Sequence, residues 1–188
     1  IAKRETDAGA LKAELAGAAD DRKQQIEALL KKIENDNATD SAIKNDARYP
    51  YPHHTHRAEY ETTTSFGTMM LNNDINSLQY ANHLCNQYGL DTIAAGSTLA
   101  FAMECFENGI LTRAQLGGLE PNFGNTEAMV KLVDMIAKRE GFGDTLAEGV
   151  MRASQRIGKG SEKYAMHVKG KELPMHEPRG NTGLALQY

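Results

Sequence analysis

The sequence predicts a mainly α protein with a few short extended segments. Three observations lead there. Apolar residues recur at spacings of three and four over long stretches, glycines stand where those stretches stop, and alternation is confined to short runs. Of the 188 residues 40% are apolar and the formal net charge is −4, a soluble globular composition sufficient for one domain or two small ones. The mild acidity argues against a nucleic-acid surface. No apolar run approaches membrane-spanning length and no signal peptide is visible, so a cytoplasmic protein is expected. Cys85 and Cys105 both fall on helical apolar patterns. They are expected as buried thiols rather than a disulfide, which suits a reducing compartment.

The first element is the longest helical pattern, residues 7 to 35, with a helix expected over 8–34. Leu11, Leu15, Ile26, Leu29, Leu30 and Ile33 line one side and charged residues the other, a solvated face rather than a binding patch. Residues 35–48 are polar and mark a linker, which sets the first expected division at 1–48. Then Tyr49-Pro50-Tyr51-Pro52-His53-His54-Thr55-His56-Arg57 is forced into an extended course by its prolines. Three neutral imidazoles within four residues suit zinc or iron, but no further ligands are identifiable nearby. Ala58-Glu59-Tyr60-Glu61-Thr62 reads as a strand with both glutamates on a wet face. A threonine-rich extended run is expected over Thr62–Met70.

Asn72 to Gly109 is the stretch around which the rest is organised. Ile75, Leu78, Ala81, Leu84, Cys85 and Tyr88 form one apolar face of a helix over 74–88, started by Asn73 or Asp74 and stopped by Gly89. Ile93, Leu99, Ala100, Met103 and Phe106 mark a second, over 93–108, that closes at Gly109. Asp91 sits between them, two residues past a glycine and beside a helix N-terminus, so a carboxylate and free N–H groups share one spot. On the pattern alone, Asp91 either caps the second helix or meets a ligand there.

Two more helices are expected, over 126–139 through Met129, Leu132, Val133 and Ile136, and over 144–157 through Leu146, Val150 and Ala153. Tyr164 to Pro174 alternates and reads as a strand and turn. The Gly-x-Gly near 141–143 follows no strand signal and is no phosphate loop. Lys169 and Arg179, each beside a glycine, are either ordinary solvated cations or phosphate ligands.

Three of these segments together carry a resemblance. Ala81-Asn82-His83-Leu84-Cys85-Asn86-Gln87-Tyr88-Gly89-Leu90-Asp91 with its following helix, Glu59-Tyr60-Glu61-Thr62, and Glu177-Pro178-Arg179-Gly180 resemble the tungsten-dependent aldehyde ferredoxin oxidoreductase family. Its Asp/Asn-x-x-Gly-Leu-Asp turn is matched by Asn86, Gly89, Leu90 and Asp91. The resemblance implies the helical domains of that family, with 49–188 as part of its pterin-binding domains. It also implies a tungsten (or molybdenum) bis-pterin oxidoreductase that converts an aldehyde to a carboxylate. Asn86, Gly89, Leu90, Asp91, Lys169, Arg179 and Gly180 would hold the cofactor, and Glu61, Glu59 or His56 would act as acid–base residues, Glu61 first. Electrons would pass to ferredoxin or an iron–sulfur subunit in an oligomeric, anaerobic, cytoplasmic system. The family's [4Fe-4S] cysteine run has no counterpart here, and two helical cysteines cannot replace it. A sister branch reduces benzoyl-coenzyme A, an aromatic acyl-CoA, and a degenerate non-catalytic subunit is a third possibility. The chain is expected to be an incomplete member, with Glu177 where aspartate is usual.

Overall fold

Gly17, which has no side chain to favour helical backbone, divides what the periodicity joins. The computed structural model describes residues 2–18, 20–42, 47–50, 54–180 and 182–186. In place of one helix over 8–34 it has α1 over Ala2–Leu15 and α2 over Asp20–Thr39. Asp20 and Asp21 open α2, where the helix dipole favours acidic residues. Arg22 spans the break, its Nε 2.8 Å from Glu14 Oε1. α2 then runs into the stretch expected as a polar linker, and β1 (Asp40–Ala42) pairs antiparallel with β2 (His54–His56), Asp40 opposite His56. The extended course of His54 and His56 is as expected; His53 lies outside the described residues. Among the described residues no three potential ligands gather as a metal site. These elements make one compact unit, Ile1–Asn45 with Pro52–Arg57.

The second unit, Asp46–Tyr51 with Ala58–Tyr188, holds the remaining elements. It opens on a correction. Glu59 to Met70, expected as extended, is α3 (Tyr60–Phe66) followed by a 3-10 turn at Thr68–Met70. The threonines tolerate the helix because their hydroxyls bond back to it, Thr63 Oγ1 to the Glu59 carbonyl and Thr64 Oγ1 to that of Tyr60, both at 2.9 Å. Tertiary packing supplies the rest, since Phe66 and Ser65 are fully buried. Propensity for strand is overridden there by burial on one face.

α4 (Ile75–Tyr88) and α5 (Thr92–Glu107) form the expected helix pair within a residue of their expected ends. α4 is amphipathic, but α5 is buried nearly all round: Ala95, Gly96, Thr98, Leu99, Phe101, Ala102, Met103 and Cys105 are all covered. A helix with no polar face belongs inside a core, and α5 packs against α3, α6, α7, α8 and β4. α6 (Thr126–Lys138) begins at Asn125, whose Oδ1 accepts from the Ala128 N–H at 3.1 Å, and buries Met129, Leu132, Val133 and Ile136. Cys85 and Cys105 are free, buried thiols, and burial pushes them up to about 12 and about 11.

The expected helix over 144–157 is two. α7 (Gly143–Leu146) and α8 (Gly149–Ile157) are separated because Gly149 takes φ +81°, and Glu172 fills the gap. Its Oε1 accepts the Val150 N–H at 2.8 Å, and a Cβ on Gly149 would stand only 2.7 Å from that oxygen. Glu172 belongs to β4 (Lys171–Glu172), which pairs antiparallel with β3 (His167–Val168) as the alternation predicts. Lys169 and Gly170 join them at φ +52° and +87°, the positive angles a two-residue hairpin turn requires. A 3-10 turn at Pro178–Gly180 and α9 (Thr182–Ala185) follow. Among the described residues no helix is long and apolar enough to cross a membrane.

Helices α3 and α5 approach closely, because a Cβ on Gly96 would overlap the Ser65 hydroxyl. Gly96→Ala is expected to destabilise the protein by about 1–3 kcal/mol through overpacking. Combined with Ser65→Gly, the loss in urea midpoint should be smaller than the sum of the two single changes.

Candidate functional site

The site is built where α4 gives way to α5. Gly89 sits at φ +70°, and the N–H groups of Gly89 and Leu90 both turn back to the Cys85 carbonyl, the latter at 2.8 Å. This left-handed glycine stop leaves Asn86 exposed on the last turn of α4 and tucks Leu90 partly into the core. The chain is then extended at Asp91, whose Oδ1 accepts from the N–H groups of Ile93 at 2.9 Å and Ala94 at 3.0 Å. Capping therefore occupies one oxygen. The other, Oδ2, lies 3.3 Å from Lys171 Nζ on β4, with the Asp91 side chain 48% exposed. Partial burial alone would raise this carboxyl, but the two backbone N–H groups and Lys171 outweigh it and hold it below its usual range.

Beside the turn lies a cavity of about 250 Å³ with an apolar floor of Leu90, Ala94, Ala95 and Ile136. Asp91, Glu148 and Glu172 are at its walls. β4 thus reaches both sides of it: Lys171 contacts the cap of α5, and Glu172 contacts the N-terminus of α8. Lys169, in the hairpin turn, is exposed. Arg179 is exposed and held by Glu177, its Nε 2.7 Å from Oε1 and its Nη2 2.8 Å from Oε2, and this pairing pulls the Glu177 carboxyl down to about 2. Gly180 closes that 3-10 turn.

A second group of side chains stands on α3. Glu61 is largely buried, and its Oε1 is 2.6 Å from His176 Nε2. The Tyr60 hydroxyl donates to the same Oε1 at 3.1 Å and lies 3.0 Å from Nε2. With its Nε2 protonated, the imidazole donates to both oxygens, so all three groups share one hydrogen-bonded cluster. Partial desolvation, with the bond to Glu61 and its charge, raises the Tyr60 hydroxyl above its ordinary value. Glu59 is exposed and forms the N-cap of α3, and His56 lies in the other unit, on β2.

The two groups rest on one contact. Thr62, next to Glu61, has its Oγ1 2.8 Å from that of Thr92, next to Asp91, and Ser65 Oγ donates to the Thr92 carbonyl at 3.0 Å. Helix α3 is therefore keyed to the first turn of α5. Sequence reading missed His176, Lys171 and the role of Tyr60. The only signal for His176 was its place just before Glu177-Pro178-Arg179-Gly180, because no spacing links it to Tyr60, 116 residues earlier.

Known proteins share the sequence and fold of this chain. Residues 31–188 match the family model described as aldehyde ferredoxin oxidoreductase, domains 2 and 3. A tungsten-containing aldehyde ferredoxin oxidoreductase of Pyrococcus abyssi is 47% identical over 137 residues, 71% of this chain and 22% of that protein. Its namesake in Pyrococcus furiosus is 44% identical over 142 residues, 75% of this chain and 23% of that protein. A Pyrococcus furiosus protein named aliphatic sulfonate oxidoreductase, WOR-like subunit, is 39% identical over 122 residues, 63% of this chain and 19% of that protein. Among solved structures, the active site complex BamBC of benzoyl coenzyme A reductase with 1,5-dienoyl-CoA superposes with a TM-score of 0.58 at 26% identity. That superposition covers 83% of this chain and 24% of the other. The chain thus spans less than a quarter of the proteins it matches.

The depressed Asp91 carboxyl gives a pH dependence of definite sign. The folded form binds this proton less readily than the unfolded chain, so the stability it adds is complete above the unfolded pKa of about 3.9 and disappears as pH falls through the lower folded value. Asn caps a helix about as well as Asp, so Asp91→Asn removes the charge and not the cap. At pH 7 the variant should lose about 0.3–1 kcal/mol, discounted toward the lower end because the side chain is half exposed. Urea midpoints of the two proteins should draw together as pH falls below about 3.9.

Proposed function

Because the chain belongs to the aldehyde ferredoxin oxidoreductase family, we propose that it supplies cofactor-holding and acid–base residues to a tungsten (or molybdenum) pterin oxidoreductase. The reaction is oxidation of an aldehyde to a carboxylate, with electrons passed to ferredoxin. The observation that carries this reading is the Glu61, His176 and Tyr60 cluster, mounted on the same α3–α5 contact as the Asp91 turn.

The residues at the turn fit a pterin. Its aminopyrimidinone edge offers parallel N–H donors, which suits the half-exposed Oδ2 of Asp91. The apolar floor of Leu90, Ala94 and Ala95 suits a flat heterocycle. Asn86, Gly89 and Leu90 shape that turn, and Lys169 and Arg179 with Gly180 are the candidates for its phosphate. A tungsten–pterin group bound there supplies the two-electron redox chemistry. Conversion of an aldehyde to its acid consumes one water and releases two electrons and two protons, so a base is required. Glu61 takes a proton, and the His176 imidazole at 2.6 Å and the Tyr60 hydroxyl orient its carboxylate. The exposed Glu59 is the lesser candidate, and His56 is not needed for this step. An iron–sulfur centre would supply the path for the electrons, and the two buried cysteines are not candidates to hold it. A ferredoxin or an iron–sulfur subunit of a cytoplasmic complex receives the electrons.

The likeness to the benzoyl-coenzyme A reductase complex favours a second reading, in which the same cluster delivers protons to an aromatic acyl-CoA. The Glu61, His176 and Tyr60 cluster speaks against a non-catalytic subunit in either case.

The test is purification of the protein containing this segment from cells grown with tungsten, followed by metal and pterin analysis and assays with aldehydes and with benzoyl-CoA. Glu61→Gln should lower kcat by about 10²–10⁴-fold with tungsten and pterin contents unchanged, the range for a lost acid–base group. Asp91→Asn should instead lower pterin content, by the equivalent of about 1.5–3 kcal/mol for a charge-assisted bond. Full activity in Glu61→Gln, or full pterin content in Asp91→Asn, would contradict these roles.

A further inference from the structure

The histidine run takes no part in the chemistry proposed above. Its strand, β2, places successive residues on alternate faces. Thr55 is only 8% exposed, so the inner face of the ribbon passes through it, and His54 and His56 occupy register positions on the outer face. His56 is exposed there. The run itself offers no further ligand, but the strand register supplies one. Asp40 of β1 is the partner of His56. Residues directly opposite one another in an antiparallel pair share a face, with Cβ atoms about 4.5–5.5 Å apart. Asp40, His54 and His56 thus belong to one face of the ribbon. Two imidazoles and a carboxylate are a donor set for zinc, which takes three such ligands and a water. Calcium and magnesium ask for oxygen donors throughout.

The unit that carries the ribbon has little else to hold it. Among its described residues Ile26 is the one buried apolar side chain, and Leu29 on the same helix is 44% exposed. Small units with so little core are commonly secured by a disulfide or a structural metal, and a two-stranded ribbon alone is marginal in water. A disulfide is ruled out, because Cys85 and Cys105 both lie in the other unit. Among the described residues no three ligand side chains are gathered in advance. The ion therefore closes the site itself, on a ribbon whose register is already set.

The register of β1 and β2 points to a structural zinc site on the outer face of this ribbon, with Asp40, His54 and His56 as its ligands. The ion clips the two strands together and closes the chain between them into a loop. The site is independent of the oxidoreductase reading, since no residue of the Asp91 turn or of the Glu61 cluster takes part in it.

The test uses the full-length protein containing this segment, stripped of loosely held divalent metal with EDTA and then titrated with zinc chloride. Calorimetry should show one zinc ion more bound by the wild type than by His54→Ala or His56→Ala. Asp40→Asn should weaken that ion by about 10–100-fold or more, since even the loss of an outer-shell partner costs that much. Asp40→Glu keeps a carboxylate and should retain the ion, which separates loss of a ligand from loss of folding. Zinc should also slow hydrogen exchange at the amides of Asp40–Ala42 and His54–His56, in the wild type and in Asp40→Glu but not in the histidine variants. Equal zinc uptake by the wild type and both histidine variants would overturn the site. Zinc bound with exchange unchanged would overturn its role as a clip.

Discussion

The burial of α5 is the constraint on which the second unit depends. A helix covered on nearly every side needs neighbours that approach closely, and its small residues permit this: Gly96 admits Ser65 of α3, and Ala95 and Ala102 are fully covered. It also needs its ends satisfied, because N–H groups near a buried core have little water to bond. Asp91 meets that need with one oxygen for two donors, and the glycine stop at Gly89 brings the chain to Asp91 in the required extended course. The candidate cofactor turn is thus the consequence of terminating two packed helices within three residues, and its rigidity follows from the core beneath it.

Four carboxylates near this helix show how environment assigns a role. Glu172 is buried and accepts the Val150 N–H in the first turn of α8, so it holds structure. Asp91 divides its two oxygens between a cap and the exposed side facing Lys171. Glu61 faces a histidine and a tyrosine rather than backbone donors, which makes it a group able to exchange a proton. Glu177, exposed, is committed to Arg179. The amino-acid type is nearly constant across these positions; the donors presented by neighbouring elements differ.

The hairpin β3–β4 joins these roles. Lys171 and Glu172 are adjacent and therefore point to opposite sides of their strand, so one bonds the cap of α5 and the other the start of α8. The short strands contribute little hydrogen bonding of their own. Their value is placement, and the positive-φ turn at Lys169 and Gly170 keeps the two strands in register.

Local signals in the sequence determined the α class, the ends of α4, α5 and α6 within about a residue, the cap at Asp91 and the hairpin near Val168. Each of these depends on residues within one or two turns of one another, and capping and periodicity report on that range. The turn Asn86, Gly89, Leu90 and Asp91 was legible as a candidate site through its resemblance to the family's Asp/Asn-x-x-Gly-Leu-Asp turn. Where the sequence reading went wrong, distant contacts decided. Thr62 to Met70 became helical because Ser65 and Phe66 are buried against α5, and the helix over 144–157 broke because Glu172 occupies the space at Gly149. The pairing of Glu61 with His176 and of Asp91 with Lys171, the latter 80 residues apart, left no periodic trace. Such pairs are set only when packing of separate elements brings their side chains together, and no local rule of spacing encodes that meeting.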